Sequence, residues 1–190
     1  MKHKIIFLDL DGVLIYLNKI NKNIIDKNRF PYEIEISQKA ILALKSILEK
    51  SNAKIVISST WSKTFSLESI ILLLNSYGIN GPYLLPEDLN MNSKFKGNRL
   101  DWVNKLSNLE FSRCITTPKR LTSKKSHEIK FWLDEYNEFV DSILILDDND
   151  IYNSENYLSE YQYKVNPEKC LLEEDVDKCL NILNKKFNYK

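Results

Sequence analysis

Apolar residues in this chain fall into two kinds of run. Short continuous ones, Ile5 to Leu8, Lys54 to Ile57 and Ser142 to Leu146, have the length and polar flanks of strands buried on both faces of a parallel sheet. Tyr163 to Val165 reads as a final short strand. Longer stretches repeat their apolar residues at intervals of three and four. Behind Ser37 as an N-cap, residues 38–51 place Ile41, Leu44, Ile47 and Leu48 on one helical face. Ser66 to Tyr77 predicts a second helix, stopped by Gly78. Ser126 to Tyr136 predicts a third, with an N-terminal Ser, an acidic first turn and Ile129, Trp132 and Leu133 on its apolar face. Glu173 to Phe187 predicts an amphipathic closing helix. Strands and helices alternating at these lengths imply an α/β fold, a doubly wound parallel sheet flanked by helices.

Two stretches fit neither pattern. Tyr16 to Glu35 is rich in Asn and Lys, contains Pro31, and is expected to run as a long loop over the mouth of the sheet. Asn80 to Leu121 reads as an insertion or minimal cap between core elements, with a helix carrying Trp102 and a strand at FSRCITT before Pro118. At 190 residues and 43% apolar composition, the chain suits one domain with a well-buried core. Asp9 and Asp11 interrupt the only apolar run near the amino terminus, which argues against a signal peptide. Cys114, Cys170 and Cys179 are odd in number and lack metal-site spacing, which suits a reducing, cytoplasmic setting.

The chemistry lies at the strand ends. Asp9 and Asp11 follow the first apolar run, and alternation sends both side chains to one side of the sheet. Two carboxylates that close raise each other's pKa or take up a hard divalent cation, for which magnesium is the natural candidate. Gly12 lets the backbone turn without a side chain in the way. A calcium loop would need oxygen ligands after that glycine, and Val13, Leu14 and Ile15 supply none. A solvated acidic turn is the plainer alternative. Ser58, Ser59 and Thr60 end the second strand run, where hydroxyls either hold phosphate oxygens or cap a helix. Lys124 and Lys125 precede the third helix, and Asp147 and Asp148 end the third long strand run. Together the clusters describe a phosphoryl-transfer site: carboxylates from two strands for the metal, a hydroxyl and an ammonium for the remaining phosphate oxygens.

The order of these clusters resembles the four motifs of the haloacid dehalogenase (HAD) superfamily. DLDGV matches the first, IVISSTW the second, the lysine before HEIKFWL the third and ILILDD the fourth. The resemblance implies a HAD-like Rossmannoid fold and a magnesium-dependent phosphomonoester hydrolase. It makes Asp9 the nucleophile that forms an aspartyl-phosphate, and Asp11 the general acid and base, its backbone carbonyl facing the metal. Ser58, or Ser59 one residue on, would bind phosphate together with Lys125, or Lys124 in its place. Asp148 would bind Mg2+ and Asp147 would assist from behind it. ISSTW, the TTP segment before KSHEIKFWL, the LDD strand and NPEKCLLEEDVDKCL are also similar to the small HAD domains of RNA-repair proteins.

Charge bears on the substrate. The net charge is only +1, but Lys94 to Lys125 holds nine Lys or Arg against two acids, and Leu133 to Asp177 holds fourteen acids against two lysines. A basic block beside an acidic metal site suits a polyanion such as a nucleic-acid end or a nucleotide. A small-metabolite or phosphoprotein phosphatase is the alternative within the enzyme class, and a non-catalytic regulatory module the alternative outside it.

Overall fold

The computed structural model describes residues 1–16, 34, 36–81, 83–84, 114–118, 124–151 and 156–189. Its centre is a four-stranded parallel sheet of β1 (His3–Leu8), β2 (Lys54–Ile57), β3 (Val140–Asp147) and β4 (Gln162–Lys164), in the order β2-β1-β3-β4. The helices are α1 (Gln38–Ser51), α2 (Leu67–Ser76), α3 (Lys125–Tyr136) and α4 (Val176–Leu183). After β1 the chain steps outward to β2, then returns across β1 to β3 and β4. The strand order therefore reverses between β1 and β3, and ligands of such sheets bind at that reversal, beyond the carboxyl ends of the strands.

The buried strands explain their own composition. Ile5 to Leu8, Ile55 to Ile57 and Ile143 to Leu146 are all buried. Phe7 meets Trp132 of α3 edge to face, with ring centroids 5.2 Å apart, and Ile6 and Leu8 point to the opposite side. Helix α1 begins where Ser37 Oγ accepts the Ala40 amide, and it ends at Asn52 in the left-handed conformation. Between those caps it buries Ile41, Leu44 and Ile47, each contributing about 1.5–3 kcal/mol. Ser66 caps α2 in the same way, and Gly78 leaves it at φ +81. Cys114, Cys170 and Cys179 are unbridged and buried.

Three local expectations are corrected. Helix α3 starts at Lys125, with Lys124 as an N-cap that makes no side-chain bond, so Ser126 lies inside the first turn and does not cap it. The closing helix is shorter than 173–187: Glu173–Asp175 forms a 3-10 turn, and α4 ends at Leu183 because Asn184 begins a turn that returns Phe187 to Asp141. Within FSRCITT, Cys114 and Ile115 are helical, and Thr116 makes only an isolated parallel bridge to Ile57. The expected loop at 17–33, the helix carrying Trp102 and most of the basic block lie outside the described residues. No helix among the described residues is long and apolar enough to cross a membrane.

Candidate active site

Register builds the site. Leu8 stands opposite both Ile57 and Leu146, so the next residues along, Ser58, Asp9 and Asp147, form a row across three strand ends. The Asp9 amide donates to Leu146 O at 3.0 Å, and the Ser58 amide donates to Leu8 O at 2.8 Å. Thr117 extends the row, its amide donating to Ile57 O at 3.0 Å. Such neighbours are about 4.8 Å apart. A cavity of about 620 Å3 opens above them, lined among others by Asp9, Asp11, Thr60, Lys125, Asp147 and Asp148.

Carboxylate oxygens of Asp9, Asp147 and Asp148 all lie within 4.8 Å of one another. Lys125, the first residue of α3, bonds Asp9 Oδ2 and stands 2.6 Å from Asp147 Oδ2. The Leu10 amide donates to Asp9 Oδ1 at 2.8 Å. Asn149 serves both other acids, its amide donating to Asp147 Oδ1 at 2.9 Å and its side chain to Asp148 Oδ1 at 2.7 Å. Among the described residues, three carboxylates face one ammonium, which leaves the cluster short of positive charge. Burial accordingly pushes Asp147 up to about 6 despite Lys125, and raises Asp148 with Asp9 adding to the effect. Burial opposes the charge on Lys125, but Asp9 and Asp147 outweigh it and hold the ammonium above its ordinary value.

The turn after β1 is tied together by its own backbone. Amides of Val13, Leu14 and Ile15 all donate to Leu10 O, and Gly12 N donates to Ile15 O at 2.7 Å. Gly12 has φ +70, and a Cβ there would come within 2.6 Å of Asp148 Cβ. Only glycine satisfies both demands. From behind, the Leu171 amide donates to Val13 O at 2.9 Å, so the NPEKCLL segment buttresses the turn.

Asp11 stands apart from the trio. Its Oδ1 accepts the Trp61 indole N–H at 2.7 Å, and burial pushes its carboxyl up to about 6 although that bond opposes the rise. The two serines also divide. Ser59 Oγ accepts the Trp61 amide at the start of the 3-10 turn Thr60–Lys63, which is a capping role. Among the described residues, Ser58 Oγ is buried without a hydrogen-bond partner. Lys124 lines the cavity rim.

Reasoning from the sequence passed over three contributors. Asn149 stands in an acidic string, Trp61 at the end of IVISSTW, and Ser126 at the start of the third helix, and none is given a role in the site by the sequence. Ser126 is 1% exposed, lines the cavity beside Lys125, and its Oγ has no partner among the described residues. The two-residue spacing of Asn149 from Asp147 was the available signal for the first.

A family model described as the HAD domain in Swiss Army Knife RNA repair proteins matches residues 5–176. The chain belongs to this family. HAD domains are phosphatase-type hydrolases that generally use a divalent metal, and an all-oxygen, electron-rich donor set of three carboxylates fits such an ion. The HAD match covers Asp9, Lys125, Asp147 and Asp148 and the strand ends that carry the carboxylates. No curated protein and no solved structure matches the chain.

Proposed function

We propose that this HAD domain is a magnesium-dependent phosphomonoesterase working through an aspartyl-phosphate on Asp9, with nucleic-acid ends or nucleotides as substrates. The observation that carries the reading is the convergence of Asp9, Asp147, Asp148 and Lys125 at the point where the strand order reverses.

Asp9 and Asp148 would hold the ion, with the Asp11 carbonyl, and Asp147 would steady it from deeper in the sheet, consistent with 1% exposure of Asp147 against 9% for Asp148. A bound magnesium ion supplies charge neutralisation for the phosphoryl oxygens. Asp9 attacks phosphorus as the bond to the leaving oxygen breaks, and Asp11 passes its proton to that oxygen. A carboxyl pushed up to about 6 holds a proton far more readily than an ordinary aspartate. Asp11, now a carboxylate, then takes a proton from water as the water oxygen attacks phosphorus, releasing inorganic phosphate and restoring Asp9. Ser58 and Lys125 bind the phosphoryl oxygens; the unpartnered Ser58 hydroxyl is a donor in want of an acceptor.

The family description, with its reference to RNA repair, and the basic block of the sequence favour polynucleotide or nucleotide phosphates over small metabolites. Lys124 and Lys125 are described members of that block, and both line the cavity. Turnover with magnesium would be compared across oligonucleotides bearing 5′ or 3′ phosphates, nucleoside monophosphates, sugar phosphates and an aryl phosphate. Oligonucleotide phosphates are expected to show the highest kcat/KM, and a steep loss of that preference with added salt. Asp9→Asn is expected to lower kcat at least about a thousandfold on every substrate while the circular dichroism spectrum stays the same. Near-normal turnover by that variant would remove Asp9 as nucleophile.

A further inference from the structure

Trp61 offers Asp11 a contact that packing alone does not require. Trp61 is 7% exposed and its ring lies 5.1 Å from that of Phe65, an apolar contact that a phenyl ring could also make. The indole N–H has one direction to donate and no capacity to accept, and it donates to Asp11 Oδ1 at 2.7 Å. The turn carrying it is pinned at several points. Ser59 Oγ accepts the Trp61 amide, Ser62 Oγ donates to Ser59 O at 2.8 Å, and Lys63 stands 3.4 Å from Glu128 of α3. Trp61 thus reaches Asp11 from a fixed platform across 50 positions of sequence.

We infer that Trp61 is a positioning residue that holds Asp11 Oδ1 as a permanent acceptor, leaving Oδ2 as the oxygen that exchanges its proton with the leaving group and with water. A carboxyl free to rotate would present either oxygen, in several orientations. Pinned by the indole, it presents one oxygen in one orientation, and orientation of this kind carries part of the general-acid contribution, itself about 10²–10⁴-fold. The inference rests on Asp11 acting as the acid in the proposed function.

The test is Trp61→Phe, assayed in single turnover with magnesium on phenyl phosphate and 2,4-dinitrophenyl phosphate. The first leaving group needs a proton as it departs and the second does not. The variant is expected to cleave phenyl phosphate about tenfold more slowly or worse, and 2,4-dinitrophenyl phosphate within about twofold of wild type. An equal loss on both substrates, or none on either, would overturn the inference. If wild type cleaves neither, the proposed function fails and this inference falls with it. If wild type cleaves both and Trp61→Phe matches it, only the Trp61 inference fails. A second measurement needs no Trp61 variant: the Trp61 indole ¹H–¹⁵N resonance in wild type is expected downfield and to move upfield in Asp11→Ala. An unchanged resonance would equally overturn the inference.

Discussion

The end of β2 lies beside the end of β1, with β3 on the far side of β1, and β2 treats polarity in the opposite way to the other two. At β1 and β3 the groups are ionic and hydrogen-bonded: Lys125 joins Asp9 and Asp147, Leu10 N binds Asp9, and Asn149 binds both Asp147 and Asp148. What is lacking there, among the described residues, is positive charge. At β2 the groups are neutral, with Ser59 spent on a cap and Ser58 left without a partner. What is lacking there is an acceptor. In the proposed function a cation with a phosphate would answer both deficits together, one half to each strand end, and would tie the two regions into one site.

The largest test of the comparison is Lys125→Met. It leaves Asp9 and Asp147 facing each other without their shared cation, and breaking a buried pair from one side costs about 3–5 kcal/mol. A fall in chemical-denaturation stability at the upper end of what single substitutions cause is expected, with partial recovery in magnesium. No loss would mean the ionic end is not held together by Lys125. Gly12→Ala follows, since it adds both a left-handed strain and a Cβ 2.6 Å from that of Asp148. A cost of about 1–3 kcal/mol is expected, together with weaker magnesium binding by titration calorimetry.

The serine pair sharpens the contrast within β2. Ser59→Ala should lose about 1 kcal/mol, the usual worth of an N-cap, and Ser58→Ala should melt within a degree or two of wild type. The order should reverse for turnover, with Ser58→Ala raising KM about tenfold and Ser59→Ala changing it little. The reverse pairing of effects would exchange the two assignments.

The ionic end is also open to test through a metal-dependent shift in Tm that changes with pH. Asp11 and Asp147 stand at about 6 in the fold against an ordinary 3.8, so between those values the folded protein keeps protons that the unfolded chain releases. The contribution of these two carboxyls to metal-free stability should therefore be greatest below about pH 4, decline as pH rises towards 6, and stay lower beyond. Magnesium should raise Tm by several degrees at pH 7.5 and barely at pH 4.5. Equal shifts at both pH values would separate metal binding from these carboxylates.

The alternating strands and helices, the order of the four motifs and the identities of Asp9, Asp147, Asp148 and Lys125 were legible in the chain because each is written locally. A buried strand needs a run such as Ile5 to Leu8, and a cap such as Ser37 or Ser66 acts within three residues of itself. Partners were not legible, because they depend on register and on contacts between distant positions. Lys125 meets Asp9 across 116 positions, and no local pattern says that the lysine will be shared with Asp147. Ser58 and Ser59 are the same residue type side by side. Strand alternation turns them in different directions, and only the 3-10 turn beyond β2 decides which one caps and which one stays unpartnered. Sequence by itself determined which chemical groups reach the strand ends. The tertiary structure decided which atoms they meet, because hydrogen bonds and ion pairs depend on ångström-scale separations that only the packed sheet sets.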